Sequence, residues 1–400
     1  MRLLILLLLA ACPASQTSTT PAGPALPALP SLGGPVWLEL QSEHFTMWTD
    51  APEARGRELI REMEHLRQIV LGVGLASGAA PGRSLVIAMR DTREVGEFVP
   101  KQFIAYAFGN PNWMFQPVIL FAADVTGNDL PVITHELTHV ISYNIIRKQP
   151  RWFAEGLANF FATVRRDPSA TKGDVGRPLD YVVARLRTRH PTPVATMFAC
   201  KEHDCMDDMF YATASAMFSM LVSTRPAELT RYTALLDRAT SFEELWKQTF
   251  PDLTPAAFDE ELRQWLRYGR HTILKFTVKL QAWSVTKRVL TDADVLAARG
   301  LVRFLFAPTK PEPPAELLEA VHVDADHMLA NYLIAAARRS FSVEEAQRLS
   351  TKYPDDWRAW WLLGLATKGA GAEGRTAHEK TCALMPAAGA TPDPRFCSTP

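Results

Sequence analysis

His135-Glu136-Leu137-Thr138-His139, followed at a short distance by Trp152-Phe153-Ala154-Glu155-Gly156-Leu157-Ala158, is the stretch of this 400-residue chain on which its reading turns. The first segment is H-E-x-x-H, and it sits in a helical pattern. Pro131 suits a first helical turn, and Ile133, Leu137, Val140 and Ile141 supply one apolar stripe. Spacing of i, i+4 places both imidazoles on one face, a turn apart, where two nitrogens can bind one ion. Glu136 points beside that ion, where it can take a proton from a metal-activated water and pass it to a leaving amine. Five residues of this kind arise by chance in roughly one such chain in a hundred. The second segment adds what the motif alone lacks. It follows Pro150 and begins a second helix, and two helices joined by a tight loop bring Glu155 over the His135/His139 face as third ligand. Three protein ligands and an open position define a catalytic metal site, whereas structural sites are closed by four.

H-E-L-T-H followed by W-F-A-E-G-L-A resembles the gluzincin zinc metallopeptidases, and more closely the peptidase MA-like families of secreted bacterial proteins. The resemblance extends upstream to the segment Trp37 to Asp50 and downstream to Tyr211-Ala212-Thr213-Ala214-Ser215, covering roughly residues 36 to 267. It implies an α+β, zincin-like domain: a small mixed sheet on the H-E-x-x-H helix, a mostly helical second lobe, and a cleft between them. It also implies one Zn2+ per chain and hydrolysis of a protein or peptide substrate. Tyr211 matches the family's Tyr-x-x-x-Ser and could donate to a developing oxyanion; the alternative is a tyrosine packed under the sheet. Asn159 stands where related enzymes often carry an acidic residue that orients a ligating histidine. Its amide oxygen can still accept an imidazole N–H, though from a less basic ligand.

Around this site the chain organises itself. Ser84 to Met89, Phe103 to Phe108 and Val118 to Phe121 read as strands, as do Trp37 to Leu40 and His44 to Thr49, with a helix from about Pro52 to Val73. From Leu130 onward the pattern reads as helical to the end. The segments starting at Asp326 and Asp356 can be laid on each other, so residues 271–400 read as an α-helical, tetratricopeptide-like region able to dock a protein partner. A plain helical bundle is the other reading. The Trp357, Trp360 and Trp361 cluster reads as packing.

The N-terminus speaks to location. Met1-Arg2 and the apolar Leu3 to Leu9 form a short export signal, and Leu9-Ala10-Ala11-Cys12 resembles the lipobox of bacterial lipoproteins. Residues 1–12 are therefore expected as a lipoprotein-type signal, with Cys12 lipidated, and 13–35 as a proline-rich tether. The peptidase domain is then expected over 36–270. This places the protein in the cell envelope, anchored on a periplasmic or outer-membrane face; an ordinary signal peptide cleaved near Ala14 is the alternative. Four cysteines remain, in two sequence-local groups that point to Cys200–Cys205 and Cys382–Cys397 disulfides, although four cysteines allow three connectivities and free thiols. Lys plus Arg and Asp plus Glu number 43 each, so no field of one sign draws the chain to nucleic acid. His203, Asp204, Asp207 and Asp208 read as a solvated acidic loop, and His44, His65, His190 and His271 as structural.

Overall fold

A computed structural model describes residues 26–75, 83–99, 105–108, 117–126, 130–167, 170–201, 205–279, 281–306, 312–388, 390 and 397. Cys12 and the export signal lie outside the described residues, as do Phe103, His203 and Asp204. The fold is mixed α and β. In chain order its first elements are β1 (Leu38–Gln41), β2 (Phe45–Thr49), α1 (Glu53–Val73), β3 (Ser84–Met89), α2 (Thr92–Val95), β4 (Ala105–Phe108) and β5 (Val118–Ala122). Then come α3 (Leu130–Ile145), α4 (Arg151–Phe161), β6 (Arg165–Arg166), β7 (Lys172–Val175), α5 (Asp180–Thr188), α6 (Val194–Ala199) and α7 (Asp208–Thr224). After α8 (Pro226–Leu235), α9 (Phe242–Thr249) and α10 (Pro255–Tyr268) the chain returns to β structure in β8 (Leu274–Thr277) and β9 (Thr286–Val289). It ends in α11 (Asp292–Phe306), α12 (Ala315–Val323), α13 (Met328–Arg338), α14 (Val343–Lys352), α15 (Trp357–Ala366) and α16 (Gly371–Leu384).

The main sheet is 6-stranded, in the order β4-β5-β3-β2-β1-β9. Its centre, β2-β3-β5, is parallel, and β4, β1 and β9 join antiparallel. The apolar runs of β3 and β5 are buried almost throughout, as strands covered on both faces must be. On one face lies α1. A Cβ on its Gly56 would come 2.7 Å from Leu40 and 3.2 Å from Thr49, so only glycine lets the helix settle this close. Strand alternation puts Tyr106 and Phe108 on the opposite face, and there Phe306, at the end of α11, packs with ring centroids 5.2 and 4.8 Å away.

Two expectations are corrected here. The chain is not helical from Leu130 onward: β6, β7 and β8 make a second, 3-stranded sheet, and β9 completes the edge of the first. β9 reads Thr-Lys-Arg-Val with every residue exposed, so it carries no apolar alternation by which a sequence could reveal it. The end of the presumed tether is also ordered: Leu29 is buried and Ser31 hydrogen-bonds Asp292 at the start of α11.

α11 binds the sheet through charge as well as packing. Arg299, almost wholly buried, pairs with Glu94 of α2 and with Glu97. Burial, then the neighbouring Asp50 carboxylate, push Glu94 up to about 7 against the pull of Arg299. Beyond α11 the helices stack in pairs. Trp357 and Trp361 of α15 pack on Tyr332 of α13 at 5.2 and 4.9 Å, so these two rings serve packing between helices. Cys200 and Cys205 lie at disulfide distance, as do Cys382 and Cys397, with Cα separations of 5.8 and 5.6 Å. Such bridges fit an oxidising, extracellular environment. Among the described residues no helix is long and apolar enough to cross a membrane.

Candidate metal centre

α3 and α4 form the hairpin that the sequence implied. Ile133, Leu137, Val140 and Ile141 bury the sheet side of α3, which leaves His135 and His139 on the side facing α4. Pro150 caps α4, and Glu155 follows within its second turn. The facing residues come together. His135 Nε2 and His139 Nε2 are 3.1 Å apart, and Glu155 Oε2 is 3.3 Å from each. This is the group of three among the described residues that could hold a metal ion.

Protein atoms alone do not satisfy this arrangement. Glu155 is buried, yet its Oε2 has no partner in hydrogen-bond geometry. Both imidazole nitrogens lie 3.3 Å from that oxygen, but neither meets it in hydrogen-bond alignment, so a buried carboxylate oxygen has charge beside it and no aligned donor, which is costly. A cation placed among all three atoms removes the deficit. Electrostatics point the same way. Burial alone would raise the Glu155 carboxyl, but the two imidazoles outweigh it and hold it well below the usual carboxylate range. For His135, burial favours the neutral ring, and Glu155, Glu136 and Asn159 together raise it.

The supporting shell is tyrosine-rich. Asn159, one turn after Glu155, adds to the electrostatic environment of His135; its Oδ1 accepts from the Tyr181 hydroxyl at 2.9 Å, and its Nδ2 donates to the Tyr211 carbonyl at 3.3 Å. Tyr211 lies in the first turn of α7, half-buried, with Glu155 and Glu136 as its charged neighbours; burial first and those charges second push its hydroxyl up. Its backbone carbonyl, bonded by Asn159 Nδ2, ties it to the helix that carries Glu155. Gly156 makes this approach possible, since a Cβ there would fall 2.7 Å from both Ala214 O and Phe218 Cβ. Glu136 is half-buried beside His135, and its charge reaches Tyr211 and Tyr106.

Four neighbours escaped the sequence reading: Tyr106 of β4, Tyr143, Arg151 and Tyr181. Tyr143 lies nearly parallel to His139, with centroids 6.1 Å apart, and continues the His135–His139 stripe by one further turn. That i, i+4 continuation was a usable signal, as was Arg151 four residues before Glu155. Tyr106 and Tyr181 come from distant segments and gave none. Of the discounted histidines, His44 pairs with the buried Glu64 at 2.8 Å and His271 packs on Trp265. No protein-family model and no curated protein sequence matches this chain.

Proposed function

We propose that this chain is an exported zinc-dependent peptidase of gluzincin type, with His135, His139 and Glu155 as metal ligands and Glu136 as general base. The observation that carries the reading is the triangle of donor atoms with edges of 3.1 and 3.3 Å. For N and O ligands at about 2.0–2.1 Å from a tetrahedral zinc, the edge of the tetrahedron is about 3.3 Å. Three such ligands leave one vertex open, and calcium or magnesium would ask for more oxygen atoms. When bound, the ion supplies Lewis acidity and a nucleophilic water at neutral pH. Glu136, adjacent in sequence to a ligand but not itself one, would hold and pass on a proton. Tyr211 is pushed toward its neutral, donating form, which suits a hydroxyl that stabilises an oxyanion. β4 ends the sheet, and among the described residues nothing pairs with its outer edge. An extended peptide can add to such an edge.

The zincin-like architecture, the lipid anchor at Cys12 and a bacterial envelope location belong to the same reading, supported by the two cysteine pairs. The stacked C-terminal helices would dock a protein partner. A second reading keeps the metal and drops the chemistry: an envelope scaffold. Elemental analysis beside a peptide-library cleavage assay, wild type against Glu136→Gln, separates the two. Stoichiometric zinc with cleavage abolished in Glu136→Gln supports the peptidase. Stoichiometric zinc with no cleavage by the wild type supports the scaffold, and a chain without metal sinks both.

A further inference from the structure

Arg151 opens α4, one helical turn before Glu155 and on the same face. A cation at the first position of a helix meets the positive end of the backbone dipole, so its charge is ill-placed unless something else uses it. Among the described residues Arg151 forms no ion pair; its Nε donates to the Lys201 carbonyl at 3.4 Å, and its charge acts on Tyr143. Both of these neighbours are fixed in turn. Lys201 follows Cys200 of the Cys200–Cys205 pair, and Tyr143 lies against His139. A guanidinium has five N–H donors, and among the described residues the Lys201 carbonyl takes one. One helical turn before Glu155 on the same face of α4, Arg151 stands beside the centre, and its charge acts on Tyr106, Tyr143 and Tyr211. With a divalent cation present, Glu136, Glu155 and Arg151 leave the centre one positive charge in excess.

We propose that Arg151 binds a carboxylate of the substrate, either the peptide's C-terminal carboxylate or an acidic side chain, making this a site for anionic peptides. The inference rests on the peptidase reading and adds its substrate class. Reach sets the position. Helical neighbours one turn apart stand about 5–6 Å from each other at Cβ, and an extended residue spans about 3.3–3.6 Å. The recognised carboxylate therefore lies within about two residues of the scissile bond.

The test uses the full, zinc-loaded chain as wild type, Arg151→Gln and Arg151→Lys, with metal content measured for each. Matched peptides end in a carboxylate or a carboxamide, or carry Glu or Gln beside the scissile bond. The acidic member of one pair should be cleaved with kcat/KM about 10- to 100-fold higher by the wild type, mainly through KM. That ratio should collapse toward one in Arg151→Gln and survive in part in Arg151→Lys; the pair that responds names the source of the carboxylate. Equal cleavage of both members in both pairs overturns the inference and leaves the peptidase reading standing. A second arm needs no turnover: calorimetric binding of 2-benzylsuccinate against 3-phenylpropanoate. A gain from the second carboxylate that Arg151→Gln abolishes supports the anion site even if no peptide is cleaved, whereas no gain in the wild type overturns it. A merely structural Arg151 would lower metal content or binding of both probes alike.

Discussion

Replacing Glu94 by Gln should make the protein more stable at pH 8 relative to wild type, while leaving the two nearly equal at pH 5. Glu94 sits between Asp50, whose carboxyl is fully buried, and Arg299, and one of its own oxygens has no hydrogen-bond partner. Burial and the Asp50 charge raise it from 4.5 to about 7. The folded state therefore holds a proton over a range in which the unfolded chain has already lost it. The stabilisation from the protonated form is complete below about 4.5 and is lost as pH rises through about 7. A rise of that size corresponds to a loss on the order of 3 kcal/mol across the window. Gln keeps the shape, stays neutral at every pH, still accepts from Arg299 and can donate to Asp50. Urea unfolding followed by tryptophan fluorescence at pH 5, 6, 7 and 8 measures the difference, and titrations common to both proteins cancel in it. Wild-type and variant curves that run parallel within about 0.5 kcal/mol over this range would refute the reasoning.

Three further outcomes are expected. Tyr211→Phe should lower kcat by about 10- to 100-fold with zinc content unchanged; an unaltered kcat removes the oxyanion role. Asn159→Ala should weaken zinc affinity by about 10- to 100-fold in a competition titration with a chromophoric chelator, because the polar link from α4 to Tyr181 and Tyr211 beside the ligands is lost. Stripping the metal should lower apparent stability by about 4 kcal/mol for an ion present at a thousand times its dissociation constant, and a melting curve indifferent to chelator would count against the centre.

Much of the site was legible because its chemistry is local in sequence. Two imidazoles one turn apart need only a helix, and Glu155 needs only the next helix to turn back, which Pro150 and a short loop ensure. β3 and β5 were legible for a similar reason, as apolar runs that only a covered strand can use. The tyrosine shell was not, since Tyr106 and Tyr181 reach the centre through tertiary packing that no periodicity encodes. β8 alternates over only four residues and β9 presents no apolar face, so both fell below any pattern threshold. The buried pair of Asp50 and Glu94 was hidden for the opposite reason: an acidic residue early in a short helix looks like an ordinary favourable partner of the dipole.

The pairing of β9 with β1 also decides how the molecule would respond to force. Leu38, at the entry to β1, is opposite Val289, at the exit from β9, and the next hydrogen bond outward joins Leu290 N–H to the Trp37 carbonyl. Tension applied from the N-terminal side and from the C-terminal helices thus enters at the same end of one antiparallel ladder. It peels the hydrogen bonds singly, with no shear spread over the whole strand. The metal centre, carried on α3 and α4, lies outside that line of load. Force on the helical end would therefore loosen the sheet's rim while leaving His135, His139 and Glu155 in register.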